Sequence, residues 1–205
     1  MFYRATMHNT ALVLTVLSLA ACGLALKTQP AHAADPITIH AEKQGDAVAI
    51  EARALLIAPL PLIWATLTDY ERFASFIPGM HVSRVLERRA PAVVVKQQGE
   101  AGFLFFKRTI DVVVESLEKP PHVIEIRVLS GNLKKLDGRY RIEPVANRAG
   151  QFVLHWSGVI EPEDSLPPLI GVSILRANIG DQFRGMVREI ERRAELPYAT
   201  VKKIE

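Results

Sequence analysis

The chain has 205 residues, 49% of them apolar and 23% charged, with a formal charge of +3. That length suits one domain with a full hydrophobic core, and the apolar content excludes disorder as the main state. Only one stretch, near the N-terminus, is long and uncharged enough to concern a membrane, so a polytopic membrane protein is excluded.

Residues 1–33 hold Arg4 and Lys27 but no acid. An apolar run from Ala11 to Leu26 follows a short polar start, and Ala31-His32-Ala33 ends it. A basic start, an apolar middle and an A-x-A end predict a secretory signal peptide cleaved after Ala33 and a periplasmic mature protein, residues 34–205. Two other outcomes are open: a retained membrane anchor, and a lipoprotein route in which Leu19-Ala20-Ala21-Cys22 is the processing box and Cys22 is lipidated. Cleavage after Ala33 removes the only cysteine, which excludes thiol nucleophiles and Cys-type metal sites. Two of the 25 basic residues and none of the 22 acids leave with the segment, so the mature chain carries +1. That charge gives no electrostatic case for nucleic acid.

Residues 46–57 alternate, with Val48, Ile50, Ala52, Ala54 and Leu56 on one face and Glu51 and Arg53 on the other, which predicts a half-buried strand. Ile37-Thr38-Ile39 reads as a short strand before it. Ala58-Pro59-Leu60-Pro61 stops the strand, and Pro61 suits a first helical turn. Leu62, Ile63, Trp64, Leu67 and Tyr70 then stripe two short helices, 61–68 and 70–75, with Asp69 and Glu71 placed to cap the second. After Pro78-Gly79, strands are predicted over 81–89, 92–101, 103–117, 122–130, 133–145 and 151–162. Their short joints imply an antiparallel meander. From Pro167-Pro168 onward, apolar residues recur at spacings of three and four as far as Ala194, predicting one long amphipathic helix over 167–195. A sheet with one apolar face and a helix with one apolar stripe bury both by packing together.

The segment Leu56-Ile57-Ala58-Pro59-Leu60-Pro61-Leu62-Ile63-Trp64-Ala65-Thr66-Leu67-Thr68-Asp69-Tyr70-Glu71, then Phe76-Ile77-Pro78-Gly79-Met80, resembles the opening of START-like (SRPBCC) proteins, including the polyketide cyclase/dehydrase and coenzyme Q-binding branch. Gly138-Arg139-Tyr140 and the approach from Pro162 to Pro168 are similar to that family too. The resemblance implies an α+β helix-grip fold: a curved antiparallel sheet around a long C-terminal helix, with two short helices after the first strand. It also implies an apolar ligand, a lipid or quinone in some members, held between sheet and helix. Other members catalyse cyclisation or dehydration. No set of family catalytic residues matches here.

Strand alternation then selects the side chains facing that space. On 103–117 the even positions point inward, including Phe106 and Arg108. Ile126, Leu136, Tyr140, Leu154 and Trp156 follow on later strands, Gln97 joins them if odd positions of its strand face in, and Ile179 and Phe183 come from the helix stripe. Gly138 and Gly158 either leave room for a ligand or curve the sheet. Arg108 interrupts an apolar face, and a buried guanidinium needs an acceptor. It either anchors a ligand oxygen or pairs with a structural acid or escapes at the strand end. The histidines lack metal-ligand spacing, and serine-nucleophile and phosphate-loop motifs are absent, so no metal or cofactor is expected. Arg88-Arg89 and Arg188 with Arg192-Arg193 read as solvated faces, with transient contact to anionic lipid as the alternative. Pro78–Met80, 99–102 and 166–170 are candidate gate segments.

The sequence therefore points to an exported, monomeric carrier of a hydrophobic small molecule or lipid. The rival readings are a cyclase or dehydratase in which Arg108, Tyr140 or Asp111 moves protons in the same cavity, and an envelope interaction protein whose interior is filled by its own side chains.

Overall fold

The computed structural model describes residues 37–103, 106–164 and 170–196, without the side chains of Phe103 and Phe106. Its elements run β1 (Thr38–Gln44), β2 (Ala47–Ile57), α1 (Leu60–Leu67), a 3-10 turn (Tyr70–Arg72), α2 (Phe73–Phe76), β3 (Met80–Arg89), β4 (Ala92–Phe103), β5 (Phe106–Lys119), β6 (Val123–Gly131), β7 (Leu133–Pro144), β8 (Gln151–Pro162) and α3 (Gly171–Glu195). The strands form one curved antiparallel sheet ordered β1-β2-β8-β7-β6-β5-β4-β3. Six strands follow one another as a meander, and β2 returns beside β8. The α1–α2 segment therefore carries the chain from β2 to β3, the opposite edge of the sheet. Edge strand β3 carries two register shifts against β4, and such bulges discourage pairing with another chain.

Alternation does what the sequence requires of it. Val48, Ile50, Ala52, Ala54 and Leu56 are buried on the concave face, while Glu51 and Arg53 face solvent. Their core partners are Ile63 and Leu67 of α1, Ile124, Ile142 and Leu154 of the meander, and Phe183, Met186, Val187 and Ile190 of α3. Each fully buried Leu, Ile or Phe side chain among them contributes about 2 kcal/mol by leaving water.

Three local expectations change. β1 is longer than the three residues foreseen, extending to Gln44 in a continuous ladder with β2. The second short helix is a 3-10 turn followed by a single α-turn. Asp69 makes no capping hydrogen bond there. Instead its carboxylate accepts from Arg193 at 2.7 Å, and Glu71 accepts from the Val85 N–H at 2.9 Å. Residues 165–169, the expected start of the long helix, lie outside the described residues, as do 104 and 105.

Arg192 and Arg193 are not both solvated. Arg193 is nearly buried, bonding Glu189 at 2.7 Å on one side and Asp69 on the other, with its guanidinium 5.5 Å from the Phe76 ring centre. Arg192 holds the other Glu189 oxygen at 2.7 Å. Hydrogen bonds from the two arginines, Arg192 first, hold the Glu189 carboxyl at a pKa of about 2. This chain of charges pins the end of α3 to the turn before α2. Two helical glycines allow the close fit. A Cβ on Gly185 would sit 2.5 Å from Pro78 Cδ and 2.8 Å from the Phe76 carbonyl, and one on Gly180 would meet Ile39.

Candidate functional site

The two halves of α3 meet the sheet differently. In the second half, Phe183, Met186, Val187 and Ile190 are fully buried. In the first half Ile174 is buried, but Val172, Leu175 and Ile179 remain half-buried. The concave face repeats the division. Ile110, Ile126, Val128, Leu136 and Tyr140 point to the helix side but keep accessible surface, whereas Ile124, Ile142 and Leu154 keep almost none. The α3 backbone makes its closest approaches to β1, β2, β4 and α1. Apolar side chains on β5, β6 and β7 thus lie beneath a helix supported mainly from either side of them.

Asn178 fixes that helix to the end of β4. The Gly102 N–H donates to Asn178 Oδ1 at 3.0 Å, and Asn178 Nδ2 donates to the Gly102 carbonyl at 3.3 Å and to the Ile174 carbonyl at 2.8 Å. One side-chain amide takes the place of a neighbouring strand. Beside this clamp is a depression of about 340 Å³, bordered by Pro78, Gly79, His81, Glu100, Asn178 and Asp181. Two of the three expected gate segments border it; the third lies mostly outside the described residues.

The residues selected from sequence divide by accessibility. Gln97, Ile126, Leu136, Tyr140 and Ile179 are half-buried, and Gln97 does face inward, opposite Val112. Leu154 and Phe183 are sealed in the core. The Phe106 side chain lies outside the described residues. Arg108 is not buried. Its strand position has the inward parity, but it lies beyond the covered part of β5, where the side chain is 62% exposed and ion-paired with Asp164. Asp111 faces the other side of the sheet, where a hydrogen bond from Gln98 and the nearby Lys96 ammonium lower its pKa.

Gly138 and Gly158 are direct partners across β7 and β8, two pairs along from Tyr140 and Trp156. A Cβ at Gly158 would lie 2.7 Å from the Trp156 ring and one at Gly138 would lie 3.6 Å from it. The space two glycines leave is occupied by the indole, so the slot belongs to Trp156.

Sequence reasoning missed a polar group on this face. The apolar even positions of β5 give way to Ser116 and Glu118, a break in pattern that was available to be read. Above them sits Tyr70. Its ring lies under Arg88, 5.8 Å from the guanidinium, and Arg88 pairs with Val93, which pairs with Ser116. The buried Tyr70 hydroxyl faces the Ser116 hydroxyl and the Glu118 carboxylate. Burial, then the Glu118 charge, raises the phenol well above its ordinary range, so Tyr70 stays protonated. Desolvation raises Tyr140 in the same way.

The opposite, outer face of the sheet carries a larger open groove of about 720 Å³. Leu117, Ala49 and Val159 contribute its apolar part. Its arginines are already engaged, Arg127 with Glu115 and Arg139 with Glu125, each at 2.7 Å. Among the described residues, no group of three His, Cys, Asp or Glu side chains is arranged to hold a metal ion.

Comparison with known proteins agrees with this architecture. The model of the family described as "Polyketide cyclase / dehydrase and lipid transport" matches residues 56–179. Zhui aromatase/cyclase from Streptomyces sp. R1128 has a similar structure, with a TM-score of 0.61 at 19% identity over 73% of this chain and 97% of that one. A STAR-related lipid transfer protein from Xanthomonas axonopodis gives 0.61 at 14% identity over 76% and 93%. A START superfamily protein from Mycobacterium smegmatis gives 0.60 at 13% identity over 71% and 98%. These likenesses show a shared fold. No curated protein matches the chain.

Proposed function

This chain belongs to the polyketide cyclase/dehydrase and lipid transport family, and we propose that it is an exported carrier holding a hydrophobic small molecule or lipid between the concave face and the first half of α3. One observation carries the reading: Ile110, Ile126, Val128 and Leu136 face the helix, yet remain half-buried. Apolar side chains in that position gain by covering with an apolar ligand, at about 25 cal/mol per Å² removed from water. The solved lipid transfer protein from Xanthomonas axonopodis supports the same class of ligand. Tyr140 and Gln97 supply polar contacts within the apolar wall. The clamp of Asn178 on Gly102 and the neighbouring Pro78-Gly79 turn form the gate through which the ligand passes.

Export rests on the N-terminal pattern, with cleavage after Ala33. The intact mass of protein purified from the periplasm tests it: a chain beginning at Ala34 supports the soluble route, and a lipidated chain beginning at Cys22 contradicts it.

The cyclase reading draws support from the likeness to Zhui aromatase/cyclase. Two of the three side chains considered for proton transfer do not favour it. Arg108 is at the strand end in an ion pair, and Asp111 is on the outer face. Binding is tested by titrating wild-type protein with a naturally fluorescent fatty acid, cis-parinaric acid. Saturable binding, lost when Leu136→Trp fills the gap, supports the carrier. Binding that persists unchanged in that folded variant contradicts it.

A further inference from the structure

Tyr140 stands on the concave face of β7, between Ile124 of β6 and Trp156 of β8. It lies deep in the molecule, yet it is only half-buried. Burial alone raises its phenol above the ordinary range, with neither a charge nor a hydrogen bond contributing. A deep side chain that keeps accessible surface borders space inside the fold. A buried phenol ordinarily finds a hydrogen-bond partner, and Tyr140 has none among the described residues.

That space adjoins the gap beneath the first half of α3. Two positions along β7, Gly138 brings no side chain, and the next inward residue is half-buried Leu136. A Cβ at Gly138 would stand 3.6 Å from the Trp156 indole and 3.9 Å from Ile126 Cβ, so these two form the floor between Tyr140 and Leu136. Ile126 is itself half-buried, as is Val128 beyond it. The local charge then selects among ligands. The inward positions around Tyr140 on β6, β7 and β8 are Ile124, Ile126, Gly138, Ile142, Leu154 and Trp156, none of them charged. Opposite Ile124 on β5 stands an acid, Glu118. A carboxylate or phosphate brought there would lose its hydration with no cation to replace it.

We propose that the Tyr140 hydroxyl is the specificity-determining donor of the ligand gap, giving its hydrogen bond to a neutral carbonyl oxygen at the inner end of an apolar ligand. This deepens the carrier reading and rests on it. A hydrocarbon end leaves the phenol unpaired, which at a buried site costs about 1–3 kcal/mol. An alcohol would accept from Tyr140 but bring a second O–H into an apolar wall. A fatty acid enters with its carboxylate turned towards the mouth. The preferred class is therefore apolar ketones, aldehydes and esters.

Two probes of matched shape, 2-acetylnaphthalene and 2-isopropenylnaphthalene, differ by a carbonyl oxygen in place of a methylene. Each is titrated by calorimetry against wild-type protein and Tyr140→Phe, with uptake of cis-parinaric acid as the reference and a thermal melt of each ligand-free protein. Tyr140→Phe is expected to weaken the ketone about tenfold and the hydrocarbon by less than about twofold, the size of one lost hydrogen bond. Its ligand-free melting temperature should equal or exceed that of the wild type, because no hydrogen bond within the protein is lost. An equal change for both probes, or none for either, overturns the donor role while the carrier reading stands. So does a lower melting temperature, which would mean that the phenol is already held within the protein. If neither probe binds wild-type protein but cis-parinaric acid does, the donor role falls alone. If cis-parinaric acid also fails to bind, the carrier reading falls with it.

Discussion

A methyl group added at Gly158 meets the Trp156 indole at 2.7 Å and the Asp137 carbonyl at 3.1 Å. The ring can swing, but only by leaving the groove that Gly138 and Gly158 make for it. Gly158→Ala is expected to cost about 2 kcal/mol, the usual range for overpacking, measured by urea denaturation. It should also shift the emission of Trp156, read in a Trp64→Phe background. A second residue-scale effect concerns Glu189. Its folded pKa of about 2 lies below the ordinary 4.5, so the stabilisation is complete above that ordinary value and is lost as pH falls toward 2. Glu189→Gln is expected to lower stability at neutral pH by about 2 kcal/mol and to flatten its decline between those two values. The exposed pair of Arg108 and Asp164 is a contrast: Arg108→Leu should change stability by less than about 1 kcal/mol and leave ligand affinity unchanged. These differences explain what sequence could reveal. Parity assigned Arg108 to the inward face correctly as a direction, but parity does not say where the helix stops covering the strand. The glycines were visible, and their neighbour was not, because the indole leans two residues along its own strand. The i, i+3 and i, i+4 spacing of Glu189, Arg192 and Arg193 was present too. What was missing was Asp69, brought in from 124 positions away.

At the scale of elements, α3 shows two effects in opposition. Replacing a helical glycine with alanine ordinarily adds up to about 1 kcal/mol of helix stability. At Gly185 the new methyl would strike Pro78 and the Phe76 carbonyl, and a backbone oxygen cannot rotate away. Gly185→Ala is therefore expected to destabilise, or to push α2 off the helix, detectable as faster hydrogen exchange at Ile77, whose N–H is bonded to Phe73. The Asn178 clamp acts at the other end of the helix. Asn178→Leu keeps the volume and removes the paired hydrogen bonds, so it should speed amide exchange at Gly102 and raise both the on-rate and off-rate of ligand. If the exchange rises and the ligand rates do not, the clamp fastens the helix without gating. Element order and the antiparallel meander were legible from periodicity and turn residues, whereas the return of β2 beside β8 was not. The Asn178 contact was not, because an asparagine in a helix looks the same whether it faces solvent or a strand end.

For the whole molecule, the architecture combines a solid half and a looser one. The C-terminal half of α3, α1 and the β2 row provide a packed core that holds the fold whether or not a ligand is bound. The N-terminal half of α3 covers apolar side chains that retain accessible surface. On the carrier reading proposed above, such a division separates the elements around the ligand from those that supply most of the stability. The outer-face groove plays no part in this scheme; its arginines are already neutralised by glutamates. The chain's family membership and helix-grip fold followed from the opening motif and the order of elements. A particular ligand did not, because apolar walls select for size and polarity more than for one compound.

The most direct test is organic extraction and mass spectrometry of mature protein purified from its native envelope, run beside the Leu136→Trp variant. The carrier reading predicts a stoichiometric apolar molecule from the wild type and its loss from the variant. An empty wild-type protein that also fails to take up cis-parinaric acid would contradict it.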